Sequence, residues 1–220
     1  MTDAAHALGG VTTPLKGIRR AAARQMVRAW EAPMFSLGVA VDMTAVLTAK
    51  RSGITVTDRV ISAVATALQR HPAVNAWFGD QGVTTFDRQN VGIAVATDAG
   101  LVVPVIHDAR SLTLDGIAAA RRDIVEKARS GGLGIEDVSG ATFTVSNLGM
   151  AGIDRFVAIV NPPQVGILAV GATTDRFVRV GDGGVWRSTA DFTLSCDHRA
   201  VDGATGAAFL GELRSILEND

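Results

Sequence analysis

Between Thr193 and Leu217 the sequence reads TLSCDHRAVDGATGAAFLGELRSIL. Asp197, His198 and Arg199 follow directly on an alternating apolar segment, and Asp202 and Gly203 precede a helical pattern. Packing gives no reason for such a cluster where a strand ends. His198 and Asp202 are four apart, a spacing that serves a metal, a base or a plain ion pair, and that places both on one face if the helix has begun. Metal ligation lacks support, because the sequence offers no second clustered His and no usable Cys. A neutral imidazole at the mouth of a sheet, held by flanking charges and a Gly turn, suits a general base acting on a thiol or hydroxyl near pH 7. The plain alternative is a structural His beside an Asp.

A base that activates a nucleophile for acyl transfer needs a donor for the developing oxyanion. The stretch TFTVSNLGMAG offers Ser146, followed by Asn147 and the glycine-rich loop at Gly149. Its plain alternative is a strand end passing into a turn. GGLG and GDGG match no nucleotide fingerprint and read as turns.

Elements that would position these groups are legible from periodicity. Pro14 to Glu31 reads as a helix with Ile18, Ala22, Met26 and Trp30 on one stripe. FSLGVAVD alternates, so Phe35, Leu37, Val39 and Val41 share a face. Thr57 reads as the cap of a helix that carries Val60, Ile61, Val64 and Leu68 and stops at His71-Pro72. A hairpin is expected around Gly79-Asp80-Gln81-Gly82, and a more apolar strand pair turning at Asp98-Ala99-Gly100. A helix from about Thr113 to Arg129 turns Ile117, Ile124, Val125 and Ala128 inward. The strand ATFTVS, the segment FVAIVNPPQVGILAVG, a hairpin around GDGG, the strand TADFTLSC and a last helix complete the chain. Long helices among hairpin-joined strands indicate one α/β domain with a mixed sheet. Residues 1–13 read as a flexible arm or linker stub, and residues 14–220 as the folded domain.

Composition narrows the function classes. The chain has 220 residues, 47% hydrophobic and 20% charged, enough for a real core. Lys plus Arg number 21 and Asp plus Glu 22, a balance that argues against nucleic acid as a partner. No apolar run is long enough to span a bilayer, and the N-terminus lacks signal-peptide features, so a cytoplasmic location is the default. The single Cys196 shares a face with Phe192 and Leu194 and reads as a core residue.

DHRAVDG resembles the signature of the dihydrolipoamide acyltransferases, the catalytic, core-forming domains of 2-oxo acid dehydrogenase complexes. PLKGIRRAAARQM is similar to that family's first helix, and NVGIAVATDAGLVVPVI, TFTVSNLGMAGIDRFVAIVNPPQVGILAVG and FLGELRSILEN match it in order. The likeness covers roughly residues 14–218. It implies a chloramphenicol acetyltransferase-like two-layer sandwich, a mixed β-sheet covered by helices. It implies coenzyme A as substrate, a lipoyl group supplied by another domain or chain, and no metal. His198 would be the general base, and Ser146 the oxyanion donor, with Asn147 and Gly149 as further loop candidates. Asp202 would fix local structure by pairing with Arg19 or Arg24, while Asp197 and Arg199 are further ion-pair candidates. The family's site lies between subunits of a homotrimer, with Ser and His from different chains, and its partners are lipoyl-bearing domains and the other complex components.

The sequence also departs from the family. Its lysines, Lys16, Lys50 and Lys127, do not sit in a lipoylation hairpin, so the lipoyl group is expected elsewhere. The segment between Thr44 and Thr57 is short. Cys196 stands where a smaller residue is usual, and the stretch Ala32-Pro33-Met34 lacks a His often found there. The final Glu218-Asn219-Asp220 makes a poor apolar knob, which predicts a trimer rather than a larger shell. Two other readings stay open: a stand-alone acyltransferase for a small alcohol or amine, and a non-catalytic trimeric scaffold.

Overall fold

The computed structural model describes residues 7–49 and 51–219. Residues 1–6 of the expected arm, Lys50 and Asp220 lie outside the described residues.

One six-stranded mixed sheet carries the fold. In chain order its strands are β1 (Met34–Asp42), β4 (Val91–Ile93), β7 (Val105–Ile106), β8 (Phe143–Asn147), β9 (Gly166–Val180) and β10 (Gly183–Asp197). Their spatial order is β1-β10-β9-β8-β4-β7, with β8 parallel to both β9 and β4 and the other neighbours antiparallel. Two ribbons stand apart: β2 (Ala76–Gly79) with β3 (Gly82–Thr85), and β5 (Val95–Thr97) with β6 (Gly100–Val102). Both hairpins turn where expected.

The helices are α1 (Gly17–Ala29), the short α2 (Thr44–Thr48), α3 (Val56–Arg70), α4 (Leu114–Ser130) and α5 (Gly203–Glu218). Helices α3, α4 and α5 supply Ile61, Leu68, Ile117, Phe209 and Leu213 to the core, against Phe143, Val145, Phe192, Leu194 and Cys196 of the sheet. All of these side chains are essentially inaccessible to water. The layer holds because each strand alternates. Thus Phe143 and Val145 enter the core while Thr144 and Ser146 turn to the other face.

Two local readings are corrected. Helix α3 is capped by Thr55, not Thr57. Thr55 and Asp58 form a reciprocal capping box, in which the Asp58 backbone N–H donates to Thr55 Oγ1 and the Thr55 backbone N–H donates to Asp58 Oδ2. Asp58 is also gripped by Arg121, whose Nε lies 2.6 Å from Oδ1. Helix α1 does not bury its apolar stripe in the core. Only Ala29 is buried, and Trp30 is 81% exposed.

The strands β9 and β10 are each 15 residues long and share a bulge. The register shifts between Ala190 and Phe192, so Gly171 and Ala172 of β9 stand opposite Asp191. The loop after β8 fills the irregularity: Ala172 N–H donates to Ile153 O and Leu148 N–H to Val170 O. A Cβ on Gly171 would lie 1.9 Å from Asp154 O, so the loop rests directly on glycine backbone.

Candidate active site

Ser146 is half-buried in the wall of a cleft of about 900 Å³ on the sheet face away from the core helices. Helix α1 lies along this cleft with Ile18 and Met26, the β6 side adds Leu101 and Val102, and the segment after the β8 loop adds Phe156 and Ile159. Gln25 of α1 is tied to the opposite wall, its Nε2 donating to Asn161 Oδ1 at 3.1 Å and to Pro162 O. Ile18, Ala22 and Met26 of the α1 stripe thus line the cleft rather than the core.

The neighbours of Ser146 hold the loop. The Asn147 side chain accepts from Gly149 N–H at 2.9 Å and donates to Thr57 Oγ1 at 3.2 Å. The Gly149 amide N–H is thus occupied, and one N–H of the Asn147 side chain is used on Thr57. A Cβ on Gly149 would stand 2.7 Å from Gly171 O, so this residue is glycine for close approach.

His198 is exposed, just beyond the end of β10. Its backbone N–H donates to Pro33 O at 3.0 Å, and its ring rests on Phe35 with centroids 4.6 Å apart. Asp197, 3% exposed, turns away from the imidazole and binds Arg199 instead: Nε to Oδ1 is 2.9 Å and Nη2 to Oδ2 is 2.7 Å. Hydrogen bonding to Asp197 raises the Arg199 pKa above its ordinary value. Arg199 in turn lies over Phe78, 4.1 Å from the ring centroid. The expected Asp197 and Arg199 pair thus exists, and it fixes the turn that presents His198.

Asp202 does not share a helix face with His198, because α5 starts only at Gly203. Asp202 is the N-cap of that helix, its Oδ1 accepting from Thr205 N–H at 2.7 Å. These hydrogen bonds hold its pKa below the ordinary value, with His198 adding a smaller effect in the same direction. Among the described residues of this chain, Asp202 forms no ion pair with Arg19 or Arg24. The stem of Arg19 packs instead near Gly100 on β6. Cys196 is fully buried beneath this turn, and burial, with Asp197 adding to it, pushes its thiol up to about 12.

The strand register also measures the separation of the two key groups. Ser146 stands opposite Ala169, and Ala169 opposite Thr193. His198 lies five residues further along and two strands over, so the two are roughly 19 Å apart in one chain. They cannot touch one reacting centre together.

Residues 9–220 match the family described as 2-oxoacid dehydrogenases acyltransferase (catalytic domain). The chain belongs to this family. It is 41% identical over 165 residues to the dihydrolipoyllysine-residue acetyltransferase component of the acetoin cleaving system of Bacillus subtilis, covering 75% of this chain and 42% of that protein. It therefore spans less than half the length of that relative. A probable dihydrolipoamide acetyltransferase from Listeria monocytogenes superposes with a TM-score of 0.92 at 32% identity, covering 96% of both chains. The Azotobacter vinelandii dihydrolipoamide acetyltransferase, solved in a study of a serine, a histidine and an asparagine in its catalytic mechanism, gives 0.90 at 31%, covering 95% of this chain and 91% of that one. Chloramphenicol acetyltransferase shares the fold, with a TM-score of 0.58 at 14% identity.

Sequence reading missed Thr144, Gln164 and Gln25 as cleft residues. NPPQ was read only as part of a segment, and no periodicity marks residues that meet across a cleft.

Proposed function

We propose that this chain is a coenzyme A-dependent acyltransferase moving an acyl group between dihydrolipoamide and coenzyme A. The observation that carries it is the split arrangement: Ser146 inside a cleft, and His198 exposed on a braced turn roughly 19 Å away. A second copy that sets its His198 over this Ser146 completes one site, and a homotrimer repeats that contact around a closed ring.

Residue spacing supports the assignment. The catalytic serine and histidine named for the Azotobacter vinelandii protein have the same separation as Ser146 and His198, and its histidine and asparagine the same as His198 and Asp202. Here the last position is Asp, used as a helix cap.

In the reaction, His198 takes the proton from the attacking thiol. The sulfur adds to the thioester carbonyl, and Ser146 Oγ–H donates to the oxyanion. Collapse breaks the original carbon–sulfur bond, and the leaving thiolate takes the proton back from His198. Thioester exchange is nearly thermoneutral, so positioning and oxyanion stabilisation are the main demands. The lipoyl group comes from another domain or chain, and the other 2-oxo acid dehydrogenase components are the natural partners.

The test is acyl transfer from acetyl-, succinyl- and branched-acyl-CoA to dihydrolipoamide, beside a panel of small alcohols and amines. Turnover with dihydrolipoamide is expected. Turnover only with an alcohol or amine would replace this reading with a stand-alone acyltransferase, and none at all would leave a scaffold.

A further inference from the structure

Gln164 is 4% exposed and lines the cleft beside Ser146, yet half of its amide is unused. Its Oε1 accepts from Thr144 Oγ1–H at 2.6 Å. Its Nε2 has no hydrogen-bond partner among the described residues, and it is absent from the polar atoms sealed away from open space. An amide with one end fastened and its N–H groups turned to a largely apolar cleft offers a fixed donor to whatever occupies that cleft, in place of water. Thr144 and Ser146 are alternate residues of β8, roughly 7 Å apart along the strand, so the Gln164 amide held by Thr144 sits about one such step from Ser146.

We propose that Gln164 is a specificity residue that donates to the amide carbonyl nearest the sulfur of a pantetheine-type thiol, and so assigns this cleft to the coenzyme A arm. The proposal rests on the acyltransferase reading above. In coenzyme A, two methylenes separate the sulfur from an amide, placing its carbonyl roughly 5 Å from the sulfur. With the thioester carbonyl at Ser146, that amide falls beside Gln164. Dihydrolipoamide carries only methylenes over the same reach, and its carboxamide lies much further from the acylated sulfur. A lipoyl arm in this cleft would leave the Gln164 donors unpaired, so the residue selects against it. Thr144 is the positioning residue, since its hydroxyl holds the amide with nitrogen toward the cleft.

The test compares wild type with Gln164→Glu, which keeps an acceptor for Thr144 and removes the donor, and with Thr144→Val, which releases the amide. Donors are acetyl-CoA, the acetyl thioester of N-acetylcysteamine, and the acetyl thioester of propanethiol, which has no amide. For Gln164→Glu, KM for the first two should rise about tenfold or more, with kcat changed less. KM for the propanethiol ester and for dihydrolipoamide should stay within about twofold. Thr144→Val should shift the same pair in the same direction. Calorimetric binding of coenzyme A, which needs no turnover, should weaken by a similar factor. An equal rise for all donors, or a rise for dihydrolipoamide alone, would overturn the proposal. Unaltered coenzyme A binding would do so even if turnover failed for other reasons, which separates this failure from that of the catalytic reading.

Discussion

Arg176 and Asp191 meet through two hydrogen bonds of 2.9 Å each, guanidinium fork against carboxylate, at the bulge where β9 supports the loop after Ser146. Arg155, from the segment beyond that loop, adds a third contact at 3.1 Å. The pair therefore fastens the loop after Ser146 to the sheet. Asp191→Ala leaves Arg176 unpaired and is expected to destabilise the fold by about 2–3 kcal/mol, below a fully buried pair because Arg176 is partly exposed. Arg155 is mostly exposed, and its removal should cost about 1 kcal/mol or less. Denaturant unfolding of the two variants measures the difference.

The same pair sets an acid limb. Hydrogen bonding from Arg176 holds the Asp191 carboxyl below its ordinary value despite the opposing effect of burial. Asp58 shifts the same way: burial alone would raise it, but hydrogen bonds from Arg121 and Thr55 together outweigh that. A lowered folded pKa contributes stability that is complete above the unfolded value and declines as pH falls through the folded one. Unfolding free energy should thus hold steady above about pH 5 and fall below about pH 4. Asp191→Asn should flatten part of that fall in an acid titration.

Replacing His198 with Ala should lower kcat by about 10²–10⁴-fold with KM for acyl-CoA little changed. The ring is exposed, so the fold should survive, as circular dichroism can verify. Near wild-type turnover would remove His198 from the mechanism.

Ser146→Ala and His198→Ala chains should each be nearly inactive alone. Co-refolded, they should recover part of the activity, because some interfaces then pair an intact Ser146 with an intact His198. Proven mixing without recovery would argue for a site within one chain.

Gly171→Ala should destabilise by about 3 kcal/mol or more, since the new methyl meets Asp154 O at 1.9 Å and backbone must move. Activity should fall with it, because the displaced loop begins beside Ser146. Thermal melting and turnover on one preparation would show whether both drop.

Cys196, with its thiol pushed up to about 12, should resist a thiol reagent at neutral pH in the native protein and react once unfolded. Rapid native labelling would contradict its place in the core.

Much of this was determined by sequence alone. Alternation in FSLGVAVD assigned a face to β1, because side chains on a strand must alternate and only one face meets the helices, while ATFTVS was legible as the strand β8. Spacing and type raised His198 and Ser146 as candidates beside plain structural alternatives, and the family resemblance is what decided between them. Local signals were misread where two candidates competed: Thr55 and Thr57 are both plausible caps, and only Asp58 three residues after Thr55 decides between them. What tertiary structure alone decided is contact between distant segments. Asp202 caps α5 and forms no ion pair with Arg19 or Arg24 among the described residues of this chain, and the Asn147 carbonyl and the Gly149 N–H hold their own loop together. Thr144 and Gln164 meet through a hydrogen bond across the cleft. The separation of Ser146 from His198 follows from strand order and register, set by long-range pairing that no local periodicity encodes.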